Sequence, residues 1–179
     1  MTTHNVQERT GLVTFKGNPM TLQGPALQTG APAPEFFLTA SDMATMTLDS
    51  LVDSGNRAAM LIVVPSLDTS VCSLESQTFN RRLGELPAGV AAYVVSVDLP
   101  FAMARWAAAQ GGVNLGMLSD YRDHNFGLAY GLYLAQLALL ARAIVVIGKD
   151  KSVKYVQIVP EVAQEPDYDE ALKAAAAAA

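Results

Sequence analysis

The run Ala58-Ala-Met-Leu-Ile-Val-Val64 contains no polar side chain and is closed by Pro65. Successive side chains of a strand point to opposite faces, so a strand of this composition has to be covered on both. Val90 to Val97 and Ala143 to Gly148 are further apolar runs of strand length. From Thr69 onward, Cys72, Phe79, Leu83 and Leu86 share one face of a helix, and Pro100 to Gln110 gives a second helix. Covered strands alternating with such helices define a layered α/β domain.

The remaining segments complete that layout. Val13 to Leu22 reads as a hairpin about Gly17-Asn18-Pro19, and Gly24 to Pro34 as an ordered Pro/Gly-rich loop. Phe36 to Leu38, Thr45 to Leu48 and Leu115 to Leu118 are short strands, and Asp123 to Tyr130 is a brief helix. Ala143 to Gly148 and Ser152 to Val159 flank the turn Lys149-Asp150-Lys151 as an antiparallel hairpin. A closing helix starts near Pro166, with Asp167, Asp169 and Glu170 at its positive end. The expected fold is α/β and thioredoxin-like, a mixed central sheet with helices on both faces, preceded by an N-terminal β-hairpin. One domain is expected over residues 13–173, with a flexible N-terminus at 1–12 and a fraying alanine tail at 174–179.

Charge and composition exclude several roles. The formal net charge is -5 and no Lys/Arg cluster stands out, which argues against a nucleic-acid surface. Ala58 to Val64 is far too short to span a bilayer, so no membrane contact is expected. The polar start, Met1 to Asn5, lacks a signal peptide's apolar region, and the expected location is the cytoplasm. The chain has 1 cysteine, which excludes an internal disulfide and a cysteine-based zinc cluster. His4 and His124 lie in polar surroundings without ligand spacing and read as surface or polar-network residues, not metal ligands.

The cysteine carries the chemistry. A lone free cysteine is most often a small buried hydrophobe, but Cys72 directly follows a buried strand and enters a helix. The first turn of a helix has unpaired amides and a positive dipole end, both of which stabilise a thiolate, the reactive form of the thiol. Thr69, three residues earlier, is a neighbour on that turn; its plain reading is a helix N-cap, its chemical one a hydroxyl for the sulfur or a peroxide oxygen. Pro65 either just ends the strand or also shields the sulfur and fixes the loop. Arg142 is one cation in the apolar stretch Leu137 to Ile147, where an unpaired charge is costly and a buried partner is expected.

Pro65-x3-Thr69-x2-Cys72 matches the active-site motif of the peroxiredoxins, and the surrounding chain resembles their thiol peroxidase branch, the atypical two-cysteine peroxiredoxins. The resemblance extends from Phe15-Lys-Gly-Asn-Pro19 through Pro65-Ser-x-Asp-Thr-x-Val-Cys72 and Asp98-Leu-Pro-Phe-Ala102 to Leu140-Ala-Arg-Ala-Ile-Val-Val-Ile147 and Glu165-Pro-Asp-Tyr168. It implies a thiol-dependent peroxidase in which the Cys72 thiolate attacks a hydroperoxide and becomes sulfenic acid. Hydrogen peroxide and alkyl hydroperoxides are the implied substrates. Thr69 and amides at the helix start would hold the peroxide, while Arg142, matching the family's active-site arginine, would favour the thiolate and bind the peroxide. The resemblance also implies a homodimer, and no organic or metal cofactor is expected, since a thiolate suffices for the reaction.

The sequence departs from that branch at Ala107, which stands where a resolving cysteine usually lies after the Leu-Pro-Phe-Ala element. The expected reset is therefore by an external thiol, a one-cysteine mechanism with a small thiol or thioredoxin-like protein as reductant. The alternative is a peroxide sensor that signals through Cys72 oxidation. A Cys-x-x-Cys oxidoreductase does not fit, because Thr69 and Glu75 occupy the positions three residues away. Tyr130 to Leu139 is shorter than the family's segment and lacks its turn, which predicts a tighter, more apolar loop beside the site.

Overall fold

The computed structural model describes residues 6–53 and 55–179; His4 lies outside the described residues. The central sheet is seven-stranded, in the order β11-β10-β5-β6-β7-β3-β4. Its strands are β3 (Phe37–Ala40), β4 (Thr45–Thr47), β5 (Ala58–Val63), β6 (Val90–Ser96), β7 (Gly116–Ser119), β10 (Ala143–Gly148) and β11 (Val153–Ile158). β5, β6 and β7 run parallel, and the outer pairings are antiparallel. A second, four-stranded sheet joins β1 (Glu8–Phe15), β2 (Asn18–Gln23), β8 (Tyr133–Leu134) and β9 (Leu139–Leu140). The helices are α1 (Leu48–Asp53), α2 (Ser70–Arg82), α3 (Pro100–Ala109), α4 (Asn125–Ala129) and α5 (Tyr168–Ala177).

The alternation of β5 explains the layering. Ala59, Leu61 and Val63 enter one core with Leu48 and Leu51 of α1 and Phe126 of α4. Met60 and Ile62 enter the opposite core with Cys72 and Phe79 of α2, Met103 and Trp106 of α3, and Ala171, Leu172 and Ala175 of α5. Every residue of β5 and β10 is buried, and each large aliphatic side chain removed from water there stabilises the fold by about 1.5–3 kcal/mol. The fold is therefore a mixed sheet with helices on both faces. No helix among the described residues is long and apolar enough to cross a membrane.

Two pairings place the functional loop. β5 runs parallel to β6, and the ladder extends to the 2.9 Å bond from Val64 N to the Val95 carbonyl. β5 also runs antiparallel to β10, with Val63 opposite Ala143. The chain leaving β5 through Pro65 therefore passes beside Arg142, the residue just before β10.

Several element limits differ from the sequence expectation. β1 begins at Glu8, inside the stretch 1–12 expected to be flexible, because Arg9 anchors it by donating to the carbonyls of Gly24 (3.1 Å) and Gly131. The hairpin turn is Lys16-Gly17, not Gly17-Asn18-Pro19: Phe15 pairs with Asn18, and both turn residues have positive φ, at 51° and 77°. Leu48 opens α1 instead of closing a strand, since Thr47 and Ser50 exchange local hydrogen bonds that start a helical turn. Asp167 caps α5 by accepting from Glu170 N, so the helix starts after Pro166 and not at it. The alanine segment is helical through Ala177, and Ala175 is fully buried against the core, which holds it in place. β8 and β9 are additional strands within the segment read only as a tight loop.

Candidate active site

Cys72 lies in the first turn of α2 with no solvent exposure. The first intrahelical bond runs from Ser73 N to the Thr69 carbonyl at 2.9 Å, so the amides of Ser70, Val71 and Cys72 belong to the unpaired, positive end of the helix. Thr69 occupies the N-cap position with extended backbone but makes no side-chain cap. Its hydroxyl instead donates to the Ser66 carbonyl at 2.9 Å.

Arg142 reaches the sulfur from the residue just before β10. Its Nη2 donates to the Cys72 Sγ at 3.2 Å, its Nε donates to the Val162 carbonyl at 3.0 Å, and its Nη1 is paired with the Glu75 carboxylate. Arg142 and Glu75 are both buried. Burial opposes the charge on Arg142, and Glu75 and Cys72 together outweigh it, holding the guanidinium above its ordinary value. Burial pushes the Glu75 carboxyl above the usual carboxylate range despite the pull of Arg142. The cation is thus shared between a carboxylate and a sulfur.

A cleft of about 370 Å³ opens over this pair, lined by Pro65, Thr69, Cys72 and Arg142 together with apolar side chains such as Phe15, Leu137, Leu139 and Val162. The structure brings all of the sequence-selected residues Pro65, Thr69, Cys72 and Arg142 to this one cleft. Among the described residues no acidic side chain lines it, and its walls come from the β1–β2 hairpin, the loop from β5 into the first turn of α2, the segment from Leu137 to Arg142 and the loop after β11. Among the described residues no group of three or more His, Cys, Asp or Glu is placed to hold a metal ion. His124 does not line the cleft; it is half-buried at the start of α4, with its ring 5.0 Å from that of Tyr133.

Glu75 is a residue of this cluster that sequence reasoning did not select. It lies three residues after Cys72 and four before Phe79, on the buried stripe of α2. A carboxylate on an apolar helix face, in a chain with one arginine in the apolar stretch Leu137 to Ile147, is the available signal for this pair.

A buried thiol at a helix start, held by a cation on a thioredoxin-like frame beneath an apolar cleft, defines a peroxiredoxin-type redox protein. The Redoxin family matches residues 28–172. A thiol peroxidase of Halalkalibacterium halodurans is 46% identical over 166 residues, covering 93% of this chain and 98% of that one. A thiol peroxidase of Streptococcus pneumoniae is 43% identical over 166 residues, covering 93% and 99%. The crystal structure of a peroxiredoxin-like protein from Aquifex aeolicus superposes with a TM-score of 0.85 at 37% identity, covering 97% of this chain and 99% of that one. The chain belongs to the redoxin family, in the thiol peroxidase branch of the peroxiredoxins, and it has a single cysteine.

Proposed function

We propose that this chain reduces hydroperoxides through Cys72 and is reset by an external thiol. The observation that carries the reading is the 3.2 Å contact from Arg142 Nη2 to the Cys72 sulfur at a helix N-terminus lining the cleft. The thiolate attacks the hydroxyl oxygen of the hydroperoxide; the S–O bond forms as the O–O bond breaks, and the leaving alkoxide or hydroxide carries off the electron pair and takes up a proton. Arg142 and the first-turn amides lower the cost of charge on the sulfur and on the two oxygens. Pro65 closes one side of the cleft over the sulfur. An external thiol then displaces water from the sulfenic acid to give a mixed disulfide, and a second thiol releases Cys72.

The cleft has room for about a dozen water volumes, so hydrogen peroxide leaves most of it unfilled. Its apolar walls support alkyl hydroperoxides as substrates. We further propose a homodimer, for which the exposed Leu74 of α2 and Leu99 and Phe101 at the start of α3 offer apolar contact surface.

The test is turnover. With dithiothreitol in excess, the protein is expected to consume many equivalents of an alkyl hydroperoxide, and Cys72→Ser none. The lone thiol gives the sensor reading its one support, and a single stoichiometric oxidation that persists in thiol would establish it instead. Sedimentation at micromolar concentration reads out the dimer.

A further inference from the structure

Asp98 stands between the end of β6 and Pro100, the first residue of α3, yet its carboxylate serves the loop that precedes Cys72. Its Oδ1 accepts from the Ser66 hydroxyl at 2.7 Å, and its Oδ2 accepts from Leu67 N and the Ser96 hydroxyl, both at 2.8 Å. The aspartate is itself held in place: its N–H donates to the Ser96 hydroxyl oxygen at 3.1 Å, and its carbonyl accepts from the Ser119 hydroxyl. The carboxylate therefore transfers the position of the rigid sheet to Ser66 and Leu67.

Ser66 passes that position on to Thr69. The Ser66 carbonyl accepts from Thr69 N at 3.1 Å and from the Thr69 hydroxyl at 2.9 Å. A threonine hydroxyl has one proton, and here it is committed to Ser66. What Thr69 offers to the cleft it lines is a pair of acceptor lone pairs. A hydroperoxide arriving there can donate its own O–H to Thr69, which turns the oxygen under attack toward the sulfur.

We propose that Asp98 is a positioning residue for the peroxidase reaction: through Ser66 it fixes the direction of the Thr69 hydroxyl, so that Thr69 receives the hydroperoxide as a hydrogen-bond acceptor. The inference rests on the peroxidase reading above. It assigns Asp98 no contact with substrate. Its effect is confined to reactions that need Thr69, which separates it from a general structural role.

The test compares two reactions of the same sulfur. Oxidation by hydrogen peroxide needs an oriented oxygen, whereas alkylation by iodoacetamide needs only an accessible thiolate. Both are measured by stopped flow for wild type, Asp98→Asn, Thr69→Val and the double variant. Asparagine keeps the size of the side chain but presents an N–H₂ where one of the carboxylate oxygens now accepts. Asp98→Asn is expected to slow peroxide oxidation by roughly tenfold to a hundredfold, the scale of a small misplacement of reacting groups, and to leave alkylation unchanged. The double variant is expected to be no slower than Thr69→Val alone, because the two substitutions remove one device. Equal slowing of both reactions, or losses that multiply in the double variant, would overturn the assignment. Ser66→Ala removes the hydroxyl bond and keeps the one from Leu67 N, whose peptide carries the Ser66 carbonyl. It is expected to slow peroxide oxidation by less than Asp98→Asn and to leave alkylation unchanged. A loss that multiplies with that of Thr69→Val overturns the assignment whether or not Asp98→Asn folds. Should wild type itself react with peroxide no faster than free cysteine, the peroxidase reading fails, an outcome distinct from all of these.

Discussion

The indole Nε1 of Trp106 donates to the Ser73 hydroxyl at 2.9 Å, fastening α3 to the first turn of α2 one residue beyond Cys72. Trp106 is buried in the same core as Cys72 and Phe79. The neighbouring position, 107, is the one where the resembled branch places its resolving thiol, and here it holds alanine. The two helices are thus pinned together beside that position.

Trp106→Phe keeps most of the packing and deletes the hydrogen bond. A loss of about 1 kcal/mol in denaturant unfolding is expected. Amide hydrogen exchange over residues 70–76 should accelerate more than exchange in β5. Unchanged exchange in that turn would show that Trp106 does not hold it.

Ala107→Cys supplies the absent thiol. Treated with one equivalent of peroxide, this variant is expected to lose both of its thiols to a disulfide with Cys72, and to do so faster when combined with Trp106→Phe, since the turn must open first. Thiol titration before and after oxidation reads the outcome. A combined variant that closes the disulfide no faster than Ala107→Cys alone contradicts the pinning.

Arg142→Met removes the cation shared by Cys72 and Glu75. Alkylation of Cys72 at neutral pH should slow, because the ionised sulfur loses its nearest positive charge. Stability should fall by about 3–5 kcal/mol, the usual cost of stranding one member of a buried pair. Adding Glu75→Gln should recover part of the stability and none of the alkylation rate. A double-mutant cycle followed by urea unfolding and alkylation kinetics checks both statements.

Asp120 provides the pH prediction. Its buried carboxylate accepts from Phe126 N at 3.1 Å and Gly127 N at 2.8 Å, and burial still raises it from 3.8 to about 6. A raised folded-state value means that the folded chain binds the proton more tightly than the unfolded chain. Its contribution to stability is therefore full below about pH 4 and is lost as pH rises through about 6, a change on the order of 3 kcal/mol. Asp120→Asn should flatten the stability profile across that window. An unaltered slope in urea titrations from pH 4 to about 7 would remove Asp120 as its source.

What residue spacing made legible was local, while Arg142 entered through the family resemblance and its place in an apolar stretch. Pro65, Thr69 and Cys72 lie within eight residues on one strand-to-helix junction, so their spacing alone places them together. Glu75 escaped notice because its meaning depends on Arg142, which is brought to it from β10 across the sheet. The start of β1 was hidden for a similar reason. Glu8-Arg9-Thr10-Gly11 has no apolar alternation, and what orders it is Arg9 reaching the distant carbonyls of Gly24 and Gly131. β8 and β9, at two residues each, are too short to show a period; their pairing is set by the hairpin they dock on. α1 follows directly on β4, so its first residue looked like the end of a strand.

The pairing of Val63 with Ala143 gives the catalytic rate a second use. Arg142, Ile144 and Val146 share the face of the sheet that carries α2, and displacing β10 by a single residue would send that whole set to the other side. A chain so displaced would still show a full complement of helix and strand by circular dichroism, yet its guanidinium would face away from the sulfur. Recovered activity after refolding is therefore a gauge of ladder alignment, counting only those molecules in which β5 and β10 have met in step.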